Sequence, residues 1–472
     1  MKKLYYWLLL GAVALGHPAA AQAPDVTKMS AEERTAYFAK LNAAAYADWQ
    51  QTLQRLHLTP PPLGPEATDP HRPAGTTRKG TSGPWLDSLG QNYFRSAWGN
   101  WTNYREDRAG GLPPTPDLLT LANGQPVRTA ADWMRKRRPE LLRLYQQNIY
   151  GQLPARLPAV RFEVAATEVG ALQGKALRRN VVGHIDNSRY PAANPRVAFS
   201  IFTPPGATQP VPLLVIVWGS VFPTPTATIE QVLAKGWGVA VFDTGAVQQD
   251  SGAGLGQGII GLVGQGQPRQ PTDWGVLAAW SWGLSRALDF LEKDPAIDGR
   301  HIGIEGHSRW GKTALLAGAL DPRWAIVWAS SAGCMGTSLE KRNFAETIDI
   351  VAGSGEYHWM APNFLRYGGH WPDMPVDAHA LLALVAPRPL FVTGGTKGDT
   401  WVDPHGEFLA CVAASPVYEL LGRKGVGTST MPAPDQALVS GDLAFRQHVG
   451  GHTDAPDWPT FLAFASRYFT AN

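Results

Sequence analysis

The chain has 472 residues, 44% of them hydrophobic and 17% charged, with a formal net charge of +3. That length and apolar share allow one large domain or two ordinary ones and exclude wholesale disorder. Two of the positive charges, Lys2 and Lys3, fall in a leader-like segment, so the rest is nearly neutral and lacks the basic surface that nucleic acid demands. Met1-Lys2-Lys3, the apolar run from Leu4 to Gly16 and Ala19-Ala20-Ala21 before Gln22 read as a secretory signal over residues 1–21. The run is too short to cross a bilayer comfortably, and the alanines supply an Ala-x-Ala cleavage site. The expected product is exported, periplasmic or secreted, with no membrane attachment once the leader is removed.

Ser30 to Leu58 has helical periodicity, with Ser30 as N-cap and Glu33 three residues on. Pro60-Pro61-Pro62 ends it. Residues 59–85, rich in Pro, Gly and Thr, read as a linker or an extended wrap, and the aromatic stretch 86–112 is expected to pack on something. Residues 22–111 read as an N-terminal extension to the rest of the chain, 112–472. Wrapping that part, lengthening its cleft and mediating association are all open to it. From Thr129 to Tyr150 helix is expected, split by Pro139 into two with the proline in the first turn of the second, and with Arg135-Lys136-Arg137-Arg138 on a solvated face.

Strands and helices then alternate. Val211–Trp218, Gly238–Asp243, 301–305, Trp324–Ser330 and Arg388–Thr393 read as buried strands. Helices are expected over Ile229–Lys235, Asp273–Asp294, Arg309–Leu320 and Trp458–Tyr468. The stripe of Trp274, Leu277, Trp280, Leu284, Leu288 and Leu291 reads as core. Such alternation predicts an α/β fold: a doubly wound, mostly parallel sheet covered on both faces, a three-layer αβα sandwich. Cys334 and Cys411 are too few for a disulfide framework; one bridge and two buried thiols are both open, and neither has metal-ligand spacing.

The chemistry concentrates in Gly306-His307-Ser308-Arg309-Trp310-Gly311-Lys312, directly after a strand. A serine at a sharp strand-to-helix turn is a nucleophile elbow, and the Arg309 N–H beside it can help hold an oxyanion. The usual last glycine is displaced: Trp310 stands in its place and Gly311 comes one residue late. In the α/β-hydrolase order Ser, acid, His, the base should follow the last strand. His452, in a glycine-rich loop, fits better than His448, which lies within the strand-like 445–449. Asp399, in the loop after strand 388–393, is the expected acid. Asp403 is its rival, although Asp403-Pro404 also suits a helix entry.

These residues resemble the glucuronoyl esterases of carbohydrate esterase family 15, over about Leu112 to Phe469. The resemblance rests on the elbow heptapeptide, Arg342-Asn343-Phe344-Ala345-Glu346-Thr347, His358-Trp359, Pro375-Val376-Asp377-Ala378-His379 and Ala386-Pro387-Arg388-Pro389. It also rests on the run from Asp399 to Phe408 and on Gly450-Gly451-His452. It implies an α/β-hydrolase fold and cleavage of esters between (4-O-methyl-)glucuronic acid of glucuronoxylan and lignin alcohols. It further implies Arg309 in the oxyanion site, and Lys312, Glu346 and Trp401 around the uronate. Many members carry a triad Glu where Ser331 stands here, and some relatives use the later loop instead, which points to Asp399.

The expected enzyme is a monomeric serine esterase working through an acyl-enzyme, with no metal or organic cofactor needed. Two other readings follow from the same residues: an acetyl or feruloyl xylan esterase of this fold, and a catalytically weak carbohydrate-binding relative, suggested by the serine at 331.

Overall fold

The computed structural model describes residues 29–78, 80, 83–110, 116–219 and 222–469. The leader read in residues 1–21 lies outside them. At the centre is a nine-stranded sheet. Its strands are β1 (Val160–Ala171), β2 (Ala176–Ile185), β3 (Arg196–Thr203), β4 (Val211–Trp218) and β5 (Gly238–Asp243), then β6 (Ile297–His307), β7 (Ile326–Ser330), β8 (Leu390–Gly395) and β9 (Leu443–His448). The spatial order is β9-β8-β7-β6-β4-β5-β3-β2-β1. From β9 to β5 every pairing is parallel; β5, β3, β2 and β1 pair antiparallel.

The helices of eight residues or more are α1 (Ala31–Arg55), α2 (Arg138–Asn148), α3 (Thr226–Leu233), α4 (Val276–Leu291), α5 (Arg309–Leu320), α6 (Ala378–Val385), α7 (Pro404–Leu420) and α8 (Trp458–Ala465). Alternation along a strand divides the core between two faces. Leu213, Val215 and Val217 of β4 pack in one layer with α4 to α7. Leu214 and Ile216 pack in the other, with α3 and α8. Burying each such side chain is worth about 1.5–3 kcal/mol, and both faces of β4 collect it. The expected α/β-hydrolase sandwich is therefore present. The stripe read on residues 274–291 is core, with Trp280, Leu284, Leu288 and Leu291 fully buried.

The antiparallel wing β1–β3 was not anticipated. Most of β1 is exposed on both faces, so it has no apolar period to read. A second difference lies before it. Pro139 does not break the expected helix: Ala130–Asp132, a π-helical turn over Trp133–Arg137 and α2 follow one another in helical geometry. Pro139 does sit in the first turn of α2, as expected, where its missing N–H costs little. Nor is the basic run wholly solvated. Arg137 is buried, donating to the Asp117 and Leu118 carbonyls and to Glu140.

Residues 31–108 pack against parts of the chain that follow the sheet's central strands. Ser30 caps α1, with the reciprocal bond to Glu33 present. Farther along α1, Trp49 Nε1 donates to Ala352 O at 2.9 Å, and Tyr357 Oη donates to Asp48 at 2.6 Å. Asn100 reaches Asp349 at 2.6 Å, and Trp98 covers Gly368 so closely that a Cβ there would lie 2.2 Å from the indole. Arg342 grips Glu106 of the extension through both terminal nitrogens, at 3.0 and 2.6 Å. Among the described residues no helix is long and apolar enough to cross a membrane.

Candidate active site

The sheet reverses its winding between β4, β5 and β6, and ligands of open α/β sheets bind at the carboxyl ends of the strands beside such a reversal. Ser308 follows β6 there. Its φ of 60° and ψ of −131° put a non-glycine residue in a left-handed conformation, a strain of about 1–3 kcal/mol. The fold holds it: Ser308 N donates to Ser330 O of β7 at 2.8 Å, and α5 begins at the next residue. Two glycines make the turn possible. A Cβ on Gly306 would meet Trp310 O at 2.1 Å, and one on Gly311 would meet Ser330 O at 2.7 Å. The displaced glycine of the motif is thus where α5 touches β7. Trp310 turns away, stacks on Trp218 at 5.7 Å and donates to Thr244.

Asp399 and His452 meet. His452 Nδ1 lies 2.6 Å from Asp399 Oδ1. Asp399 is fully buried, and its other oxygen accepts from Ser331 Oγ and Gly395 N, each at 2.7 Å. Nδ1 is thereby committed as a donor, which leaves Nε2 as the nitrogen able to take a proton. The rival Asp403 has a different post: it caps α7, accepting from Gly406 N at 3.0 Å, and pairs with Arg342 at 2.7 Å. His307 lies against His452, ring centroids 4.3 Å apart, and burial together with that neighbour pushes its pKa down to about 3. A neutral imidazole therefore backs the exposed His452.

The cations behind the serine are not free. The Arg309 guanidinium pairs with Asp250 at 2.6 Å and lies over Trp359 at 5.3 Å. Asp250 also accepts from Trp359 Nε1 at 2.7 Å and faces His358 Nε2 at 3.0 Å. Burial favours a protonated Asp250, but His358, Arg309 and Trp359 outweigh it and hold the carboxyl well below its usual range. Lys312 is more constrained than its sequence position suggests. Its ammonium is buried and donates to Ala332 O at 2.7 Å, Cys334 O at 2.5 Å and Glu346 Oε2 at 2.8 Å. All three protons are used, so Lys312 fixes Glu346 and has no spare donor for a sugar. Glu346 also accepts from Cys334 N at 3.0 Å. Trp401 is half-buried, edge-on to Phe94 of the extension at 5.4 Å, and its carbonyl accepts from Glu346 N. Cys334 and Cys411 are separate buried thiols.

Asp250 and Glu356 escaped the sequence reading. Asp250 lies in a loop 58 residues before Ser308, with no motif to flag it. Glu356 stands two residues before His358-Trp359. Burial and the Glu346 carboxylate push its pKa up to about 8, and its Oε2 has no partner among the described residues. With Trp401, Phe94, Tyr46 and Trp49 it lines a cavity of about 790 Å³ between the extension and the catalytic domain.

A family model described as "Glucuronyl esterase, fungi" matches residues 192–422. The "Carbohydrate esterase MZ0003" of an unknown prokaryotic organism is 32% identical over 395 residues, covering 75% of this chain and 89% of that protein. A solved "CE15 glucuronoyl esterase from Teredinibacter turnerae" is 37% identical, with a TM-score of 0.77, covering 90% of this chain and 100% of that one. This chain belongs to carbohydrate esterase family 15. Other family 15 relatives are similar to it at greater distance. The glucuronoyl esterase from Solibacter usitatus is 35% identical with a TM-score of 0.69, covering 76% of this chain and 99% of its own. The "4-O-methyl-glucuronoyl methylesterase" of Cerrena unicolor is 30% identical over 366 residues, 75% of this chain and 69% of that protein. At Ser331, the position where the resemblance leads one to expect a Glu, the hydroxyl donates to Asp399 instead.

Proposed function

We propose that this chain is a glucuronoyl esterase that hydrolyses esters between (4-O-methyl-)glucuronic acid of glucuronoxylan and lignin alcohols, through an acyl-enzyme on Ser308. The observation that carries the reading is the His452–Asp399 pair at 2.6 Å, on the strand ends that also hold the strained Ser308. Ser308 Oγ attacks the uronate C6 carbonyl while His452 Nε2 takes the hydroxyl proton. The tetrahedral oxyanion forms beside the Arg309 N–H and guanidinium, where a donor is worth about 2.7–4 kcal/mol. As the C6–O bond to the alcohol breaks, His452 gives its proton to the leaving oxygen. Water, deprotonated by His452, then attacks the acyl carbon and releases the uronic acid and Ser308.

Asp399 holds the tautomer of His452. Glu346 and Trp401 are proposed to receive the sugar, with Lys312 acting through Glu346. The leader-like residues 1–21 support export, and we propose a monomer in which residues 22–111 are an extension to the catalytic domain.

The test is a comparison of kcat/KM for a benzyl ester of glucuronic acid and for an aryl acetate. The uronate ester should be turned over far faster. Equal rates or acetate preference would assign the site to acetyl or feruloyl esters instead. Sugar binding without turnover would make the chain a non-catalytic relative.

A further inference from the structure

A second histidine–aspartate pair lies behind the first. His448 ends β9, four residues before His452, and its ring is fully buried. Its Nδ1 lies 2.8 Å from Asp457 Oδ2, and its Nε2 lies 3.2 Å from the Gly451 carbonyl oxygen. Both partners are acceptors. A carbonyl has no proton to give, and the other oxygen of the Asp457 carboxylate already accepts from Arg446 Nη1 at 2.5 Å. Making both bonds takes both ring N–H groups, so the geometry requires an imidazolium. With both nitrogens engaged and no exposure, this ring is unsuited to proton transfer with a substrate.

We propose that His448 is a positioning residue. As an imidazolium clamped between Asp457 and the Gly451 carbonyl, it sets the loop that presents His452 to Ser308. This rests on His452 being the general base.

The surroundings support the charge. Asp457 and Asp454 face His448 from the segment before α8, Asp399 from the loop after β8, and His307 from the end of β6. Arg446, on the same strand, is neutralised by Asp457 and by Asp435, which also accepts from Val449 N. Burial favours the neutral ring, but Asp457, the Gly451 carbonyl and Asp399 outweigh it, and the net effect is a pKa above the ordinary 6.5. The tether is intact below that value and fails as pH rises through it. The ring then keeps its bond to Asp457, and a bare Nε2 lone pair faces the Gly451 oxygen. A displacement of about 1 Å in a catalytic group can cost about a hundredfold in rate, so the loss should be visible in turnover.

Nitrogen-15 NMR of the full chain with labelled histidines reads the protonation directly. Both His448 nitrogens should be protonated at about pH 7, with loss of one proton above the ordinary histidine range. In parallel, His448→Gln, whose amide can serve only one of the two acceptors, should lower kcat on a glucuronate benzyl ester about 10- to 100-fold near neutrality. KM should change little, and the alkaline decline of the wild-type kcat profile should disappear. Glu356→Gln, which removes a buried carboxyl whose pKa is raised to about 8, should keep that decline. A His448 with one bare nitrogen at neutral pH overturns the proposal, as does an alkaline decline that persists in His448→Gln or vanishes in Glu356→Gln. If His448→Gln does not fold, the NMR of the wild type decides alone. If His452→Ala keeps its activity, the assignment of the base has failed, whereas the protonation state of His448 is read independently.

Discussion

Ser331 donates to Asp399 Oδ2 at 2.7 Å, on the opposite oxygen from the one that faces His452. The serine therefore helps fix the carboxylate that faces His452. Asp399→Asn should leave the fold intact and lower kcat by about ten-thousandfold, the loss typical of a triad whose histidine is left in the wrong tautomer. Ser331→Ala removes one bond to a charged group, worth about 1.5–3 kcal/mol, so a drop of about tenfold or more is expected. Steady-state kinetics on a glucuronate benzyl ester checks both; an active Asp399→Asn would move the acid elsewhere.

Lys312 and Glu346 form a buried pair that is tied further to the Ala332 and Cys334 backbone. Lys312→Met leaves the Glu346 carboxylate without its cation, at a cost of about 3–5 kcal/mol. The double variant with Glu346→Gln should regain much of that stability, and activity should not return with it. Chemical denaturation paired with kinetics separates the two effects.

Asp250 orients Arg309 from a distant loop. Asp250→Asn keeps the shape but weakens the hold on the guanidinium, and kcat should fall about 10- to 100-fold. KM should stay close to the wild-type value if, as proposed, the arginine acts on the oxyanion rather than on the bound ester. Arg309→Ala should mask the effect: the two losses should not add.

Glu356 makes stability depend on pH. Its ordinary pKa is 4.5, raised in the folded chain to about 8 by burial and by Glu346. The folded state therefore keeps a proton that the unfolded chain has released, and stability falls as pH rises between those values. Glu356→Gln should remove that slope and raise the denaturation midpoint most near pH 8. Melts of both proteins across that window test it.

Much of this was legible in the chain. The buried parallel strands announce themselves because both faces are apolar, and Ser308 and His452 sit where strand ends put them. Asp399 was separable from Asp403 only by its loop; in the structure Asp399 faces His452, while Asp403 is bound to Arg342 and to the start of α7. Features set by long-range pairing were not legible. Asp250 carries no local signal, strand β1 of the wing has no apolar period, and the spent protons of Lys312 depend on carbonyls about 20 residues downstream.

Arg342 has one hand on Glu106 and the other on Asp403, and Asp403 begins the helix that follows the Asp399 loop. A load applied to the extension is therefore passed through one guanidinium to the neighbourhood of the triad. Grafting residues 22–111 from a relative would transplant half of a clasp. Unless the donor segment brought its own carboxylate to this arginine, the acid loop would lose its brace, although no residue of the catalytic domain had been altered.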